Sequence, residues 1–265
     1  MESYPRVIVG TDGSPDATAA VRIGAFIAKQ LAVPLEVITS YEDDSNGPDD
    51  KGHDWAVRIT DDAAALAREI GATDVTTRPA KGDADDILIA ASTTNPDALI
   101  AVGSAGLAKA TSRLVGSTSN KLAHHSLADV LYAREPAPKV WNFVALATDG
   151  SDTAVKAVRR GLALAVGIDA TPRLVTAAKN VADGERTLAE TAEQVQGDAP
   201  GVEIEREVFE DPQAGSALIA KAWKYELVVM GNRGMSGASR LLGSVANKVT
   251  HGIETNLLLV NTTRV

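Results

Sequence analysis

Short runs of aliphatic and β-branched residues alternate along the chain with longer Ala-rich stretches whose apolar positions recur at helical spacing. In the first half this pattern predicts strands at 6–10, 35–41, 74–77, 99–102 and 130–133, with helices over 17–31, 55–70, 85–93 and 118–125. The second half repeats the order, with strands expected at 143–147, 173–178, 203–208, 227–230 and 257–261. Apolar strands separated by helices predict an α/β protein in which a mostly parallel five-stranded sheet carries helices on both faces. Ligands bind such sheets beyond the carboxyl ends of the strands.

The halves also repeat in sequence. Thr11-Asp12-Gly13-Ser14 follows the first strand, and Thr148-Asp149-Gly150-Ser151 follows the sixth, 137 residues later. Near the end of each half, the thirteen residues from Ser112 to His124 match those from Ser239 to His251 at eight positions, including Ser-Arg-Leu, Gly-Ser and Asn-Lys. Two matches in the same order argue for a duplicated domain. The expected domains are 1–136 and 140–265, joined at Glu135-Pro136-Ala137-Pro138-Lys139, a short proline-rich linker. The apolar last strand of each half would be an exposed edge liable to unwanted pairing, so the halves are expected to form an intramolecular pseudo-dimer through these strands, with a homodimer as a further assembly.

Composition narrows the function. The 265 residues, 45% hydrophobic and 23% charged, suffice for two ordinary cores. A net charge of −9 gives no basic footprint for nucleic acid, so no nucleic-acid partner is expected. The absence of Cys excludes disulfides and thiol chemistry, and four His residues leave little for a zinc site. No apolar stretch suits a signal peptide or a membrane span, so no membrane partner and a cytoplasmic location are expected.

The chemistry concentrates where strands end. Gly103-Ser104-Ala105-Gly106 follows the fourth strand, and after nine more residues comes Gly116-Ser117, opening a helix. Glycines let backbone N–H groups approach phosphate oxygens closely, and the start of a helix favours an anion. The second half has Gly231-Asn232-Arg233-Gly234, then eight residues, then Gly243-Ser244. Asp12 and Asp149 end the first strand of each half and should face the same sheet edge, where a carboxylate can accept from an adenine amino group or a ribose hydroxyl. The spacing is neither a Walker loop nor a dinucleotide fingerprint.

Val9-Gly10-Thr11-Asp12-Gly13-Ser14 together with Gly-x2-Gly-x9-Gly-Ser resembles the universal stress protein family, over nearly the whole chain as two tandem copies. The resemblance implies two Rossmann-like domains of the adenine nucleotide alpha hydrolase-like kind. It implies Gly10, Asp12 and Tyr41 beside the base, with Gly103, Gly106, Gly116, Ser117 and Thr118 around ribose and phosphates. The matching second-half positions are Asp149, Ala178, Gly231, Gly234, Gly243, Ser244 and Val245. It further implies an adenine nucleotide as ligand, ATP with Mg²⁺, and a stress-response regulator whose conformation or protein partner depends on that nucleotide. Two nucleotides per chain are expected, with the first-half site the more secure because its spacing is complete.

Simpler readings stand beside these. A glycine taken singly is more often a turn or helix cap than a ligand contact, and Asp12 or Asp149 alone would be an Asx-turn or N-cap residue. His124, His125 and His251 lack partners at metal-ligand spacing and read as surface or packing residues. Lys121 and Lys248 read as solvated face residues, whereas Arg113 and Arg240 stand evenly between orienting the loop and contacting phosphate. The acidic stretch around Glu42-Asp43-Asp44 reads as an exposed loop. No catalytic residue and no metal site is assigned. The competing functions are a slow ATPase, which would need a base and metal-holding groups beyond the cradle, and a nucleotide-free interaction scaffold. Cyclic AMP remains open as a ligand.

Overall fold

The computed structural model describes residues 3–42, 52–108, 118–233 and 242–263. It divides into a unit spanning Tyr4–Ala137 and a unit formed mainly by Pro138–Val265.

In the first unit β1 (Val7–Gly10) leads into α1 (Pro15–Leu31), β2 (Leu35–Tyr41), α2 (His53–Ile70), β3 (Val75–Lys81), α3 (Ala84–Thr94), β4 (Leu99–Gly103), a short α4 (Ala105–Ala108), α5 (Thr118–His125) and β5 (Asp129–Ala133). The strands lie in the order β3-β2-β1-β4-β5, every pair parallel. Val7, Ile8, Val9, Leu99, Ile100 and Ala101 are fully buried. Their unbroken apolar runs reflect a central sheet covered on both faces, with α1 packed on α2 and α3 packed on α5.

The second unit repeats the plan. It runs through β6 (Phe143–Ala147), α6 (Asp152–Gly167), β7 (Thr171–Ala178), α7 (Val181–Val195), β8 (Glu205–Glu210), α8 (Ala214–Lys221), β9 (Leu227–Gly231), α9 (Ser244–Gly252) and β10 (Asn256–Val260). Its order is β8-β7-β6-β9-β10, again all parallel. In both units the chain moves outward to one side of its first strand for two strands, then crosses to the other side. The loops after β1 and β4, and after β6 and β9, therefore diverge and leave a crevice at the sheet's carboxyl edge.

Helix starts are written locally. Ser14 caps α1 by accepting from the Ala17 N–H, Pro15 occupies the first helical turn where its missing donor costs nothing, and Asp16 complements the dipole. Ser151 caps α6 in the same way, accepting from the Ala154 N–H at 3.2 Å.

The outermost strands depart from the sequence-based boundaries. The strand predicted at 74–77 runs from Val75 to Lys81, through Pro79, which sits opposite Thr39 of β2. A proline well inside a strand is best tolerated at a sheet edge, and β3 has a neighbour on one side alone within its unit. The short α4 was not predicted, and β8 lies about two residues beyond its expected start.

Candidate functional site

Each crevice begins with an Asx turn. Asp12 Oδ1 accepts from the Ser14 N–H at 3.0 Å, and Thr11 Oγ1 accepts from the Gly13 N–H at 3.2 Å. Asp149 Oδ1 accepts from both the N–H (3.1 Å) and the hydroxyl (2.5 Å) of Ser151, while Thr148 Oγ1 accepts from the Gly150 N–H. Gly13 and Gly150 take φ of +77° and +79°, a conformation that side-chain-bearing residues rarely adopt, which is why glycine follows the aspartate in both copies. The turn uses Oδ1 of each exposed carboxylate and leaves Oδ2 without a hydrogen bond among the described residues, so the turn role and a ligand role are compatible.

The first crevice encloses a cavity of about 360 Å³. Gly10 lines it from the end of β1 and Asp12 from the turn beyond, Ile38 and Ser40 from β2, Ile87 and Leu88 from α3, Gly103 from β4, and Thr118 and Ser119 from the start of α5. Ser119 donates to the Gly103 carbonyl at 2.8 Å, and the buried Tyr132 hydroxyl donates to the Ser119 carbonyl at 3.1 Å. These bonds fix the helix start against the end of β4. Burial drives the Tyr132 phenol pKa upward, so it remains a neutral donor.

The second crevice encloses about 320 Å³. Asp149 lines it from the turn after β6, Val175 to Ala177 from β7, Ala214 and Leu218 from α8, Gly231 and Arg233 from the end of β9, and Gly243, Ser244 and Val245 from the start of α9. Gly243 is the N-cap of α9, and its N–H donates to the Asn232 carbonyl at 2.9 Å.

Of the residues expected at the sites, Gly10, Asp12, Gly103 and Thr118 come together in one cavity and Asp149, Gly231, Gly243, Ser244 and Val245 in the other. Tyr41 and Ala178 do not reach the walls. Strand alternation presents Ile38 and Ser40 to the cavity, while the Tyr41 ring packs edge-on against His53 at 5.3 Å. Ala178 lies one residue past the lining of β7. Gly106 falls in α4, and Gly116, Ser117, Gly234, Arg113 and Arg240 lie outside the described residues, as does most of the acidic loop after Glu42.

Gly103 has a different reason to be glycine from the one its spacing implied. A Cβ there would meet the backbone of Asp16 and Ala17 at 2.8–2.9 Å, so the residue lets β4 end against the first turn of α1. Lys121 is not a free cation either: its ammonium lies 2.5 Å from Asp85 Oδ2, and this partner raises its pKa. Lys248, its counterpart, donates to the Ser216 hydroxyl at 2.6 Å. His251 places Nδ1 2.7 Å from the Asn247 carbonyl on its own helix. Among the described residues no group of three or more His, Cys, Asp or Glu side chains converges as a metal site.

Sequence reasoning missed Asp16, Ser40, Ser119, Arg233 and the α3 and α8 walls. Arg233 was visible as a charged residue inside a glycine pair; the helix walls carry no local signal.

Comparison with known proteins agrees with this architecture. Residues 3–134 and 143–261 each match the Universal stress protein family. The chain belongs to the universal stress protein family, as two tandem copies. That membership gives it a role in the stress response. Universal stress protein Rv1636 of Mycobacterium tuberculosis is 30% identical over 141 residues, spanning 49% of this chain and 97% of that protein. The crystal structure of a universal stress protein from Archaeoglobus fulgidus covers 98% of this chain and 100% of its own, with a TM-score of 0.72 and 18% identity, so the tandem fold itself recurs. A crystal structure of a universal stress protein in complex with cAMP is 30% identical over 50% of this chain and 99% of its own, with a TM-score of 0.45. Among the described residues no helix is long and apolar enough to cross a membrane.

Proposed function

We propose that each unit binds one adenine nucleotide, ATP in the first instance, and that the bound nucleotide sets the conformation or partner affinity of a stress-response regulator. The observation that carries this reading is the repeated placement of a carboxylate-bearing turn and a helix N-terminus on opposite sides of one crevice at the sheet's switch point. Cavities of about 360 and 320 Å³ are of the size that takes a small ligand. Ile87, Leu88 and Leu218 offer apolar walls for a base, and Asp12 or Asp149 an acceptor for its amino group or the ribose.

The residues present fit an anionic group at the other end. The first-turn N–H groups of α5 and α9 have no intrahelical acceptor, and the helix dipole favours phosphate there. Arg233 adds a guanidinium in the second unit. Mg²⁺ would enter with the phosphates and neutralise them, rather than sit in a cage of protein carboxylates. Among the described lining residues of the two cavities there is no His to serve as a general base, and the reading we favour is binding rather than turnover.

Heating the purified protein and separating what it releases tests the reading. Intact ATP supports it, ADP alone would shift it toward hydrolysis, and protein that carries no nucleotide and whose melting temperature ignores millimolar ATP with Mg²⁺ would refute it.

A further inference from the structure

The last helices of the two units, α5 and α9, are held differently. Three side-chain ties fix α5. The Ser119 hydroxyl donates to the Gly103 carbonyl at 2.8 Å, and the Tyr132 hydroxyl, buried on β5, donates to the Ser119 carbonyl at 3.1 Å. Lys121 reaches across to Asp85 on α3, whose carboxylate is nearly buried. The helix is thereby bound to β4, to β5 and to α3, and both α3 and α5 carry residues of the cavity wall.

Among the described residues none of the three ties recurs in the second unit. The register that sets Tyr132 opposite Val102 sets Leu259 opposite Met230. Ala246 stands where α5 has Ser119, and Gly215 where α3 has Asp85. Leu and Ala side chains have no polar atom to offer, and Lys248 meets the neutral Ser216 hydroxyl instead of a carboxylate. What α9 keeps is a backbone bond at its cap, from the Gly243 N–H to the Asn232 carbonyl. It also carries Thr250 where α5 has Ala123, and the Thr250 hydroxyl is buried without a hydrogen-bond partner. A buried donor left unpaired makes this placement of α9 costlier to hold, which α5 avoids.

We infer that Ser119, Tyr132 and the Lys121–Asp85 pair are positioning residues that set the α5 wall of the first crevice before any ligand arrives, and that the second unit, lacking them, is the one whose conformation responds to its ligand. The first crevice then binds without an ordering cost, whereas binding in the second draws α9 into a single placement. The response to ligand rests on the nucleotide reading above; the difference between the helices in the empty protein does not.

Hydrogen exchange on the nucleotide-free full chain, with and without millimolar ATP and Mg²⁺, tests it through the protection of the helical amides of α5 and α9. In the empty wild type α5 should exchange about tenfold or more slowly than α9, and ATP should slow α9 the more. Tyr132→Phe, which keeps the ring and removes only the hydroxyl, and Ser119→Ala should each speed α5 exchange roughly two- to tenfold, leave α9 unchanged, and make α5 newly responsive to ATP. Equal protection of the two helices in the empty protein would overturn the inference, as would an α5 unmoved in both variants or a larger ATP effect on α5 than on α9 in the wild type. A well-protected α5 in a chain where neither helix responds to ATP would support the anchoring and overturn the nucleotide reading, and with it the responsive role of the second unit.

Discussion

The side-chain oxygen of Asn232 accepts two hydrogen bonds from Thr262, from its N–H and from its hydroxyl, each at 3.1 Å. They tie the end of β9 to the chain just beyond β10. Replacing Asn232 by Ala strands the buried Thr262 donors, and the cost expected is about 1–3 kcal/mol. Chemical denaturation should show it as a lower midpoint with an unchanged slope. Asn232→Ser, which copies Ser104 of the first unit, should fall between wild type and Ala; a midpoint unmoved in both variants would contradict the anchoring role.

Gly103→Ala should destabilise the chain by about 1–3 kcal/mol, since the added methyl meets backbone rather than a side chain that could rotate away. Gly197 serves as the control, because a Cβ there would meet nothing within 4 Å. Gly197→Ala is expected to be neutral or to stabilise by about 0.4–1 kcal/mol through the unfolded chain. Thermal melts of both variants decide the matter, and equal effects would remove the close-approach argument.

Acid should weaken the second unit through Glu207. Its partial burial opposes ionisation, but hydrogen bonds from Lys224 and Tyr225 and the charges of Lys224 and Arg173 outweigh that, and its pKa is lowered. A carboxyl with a lowered folded pKa contributes stability that is whole above the unfolded value, about 4.3, and is lost as pH falls through the folded one. Stability measured from pH 6 down to pH 3 should therefore decline less steeply in Glu207→Gln than in wild type. Parallel curves would show that the Arg173, Lys224 and Tyr225 contacts do not favour the ionised form.

Within its own unit each sheet ends on an apolar strand, with Val130, Leu131 and Tyr132 in β5 and Leu257, Leu258 and Leu259 in β10. An unpaired apolar edge recruits another strand. Residues 1–137 and 138–265 expressed separately should self-associate or precipitate, and sedimentation as two well-behaved monomers would count against pairing through these strands.

Much of this was legible because the chain states it twice. Thr-Asp-Gly-Ser marks the ends of β1 and β6, and Gly103 and Gly231 end β4 and β9, so the strands that meet at the switch point were readable from glycine and aspartate alone. What stayed hidden depends on neighbours distant in sequence. The extent of β3 follows from its edge position, which Pro79 obscured. Tyr41 turned away because Ser40 sits in phase with Ile38, a matter of strand register that no motif encodes. The reason for Gly103 lies in α1, more than eighty residues earlier. The pairing of Lys121 with Asp85 joins α5 to α3, where sequence spacing says nothing about contact.

The central claim is that both crevices hold adenine nucleotide. Equilibrium dialysis of the nucleotide-free full chain against labelled ATP and Mg²⁺ tests it most directly, because it counts sites without relying on stability or activity. The account predicts saturation at two ATP per chain, with competition by ADP. No saturable binding at millimolar ATP would contradict it.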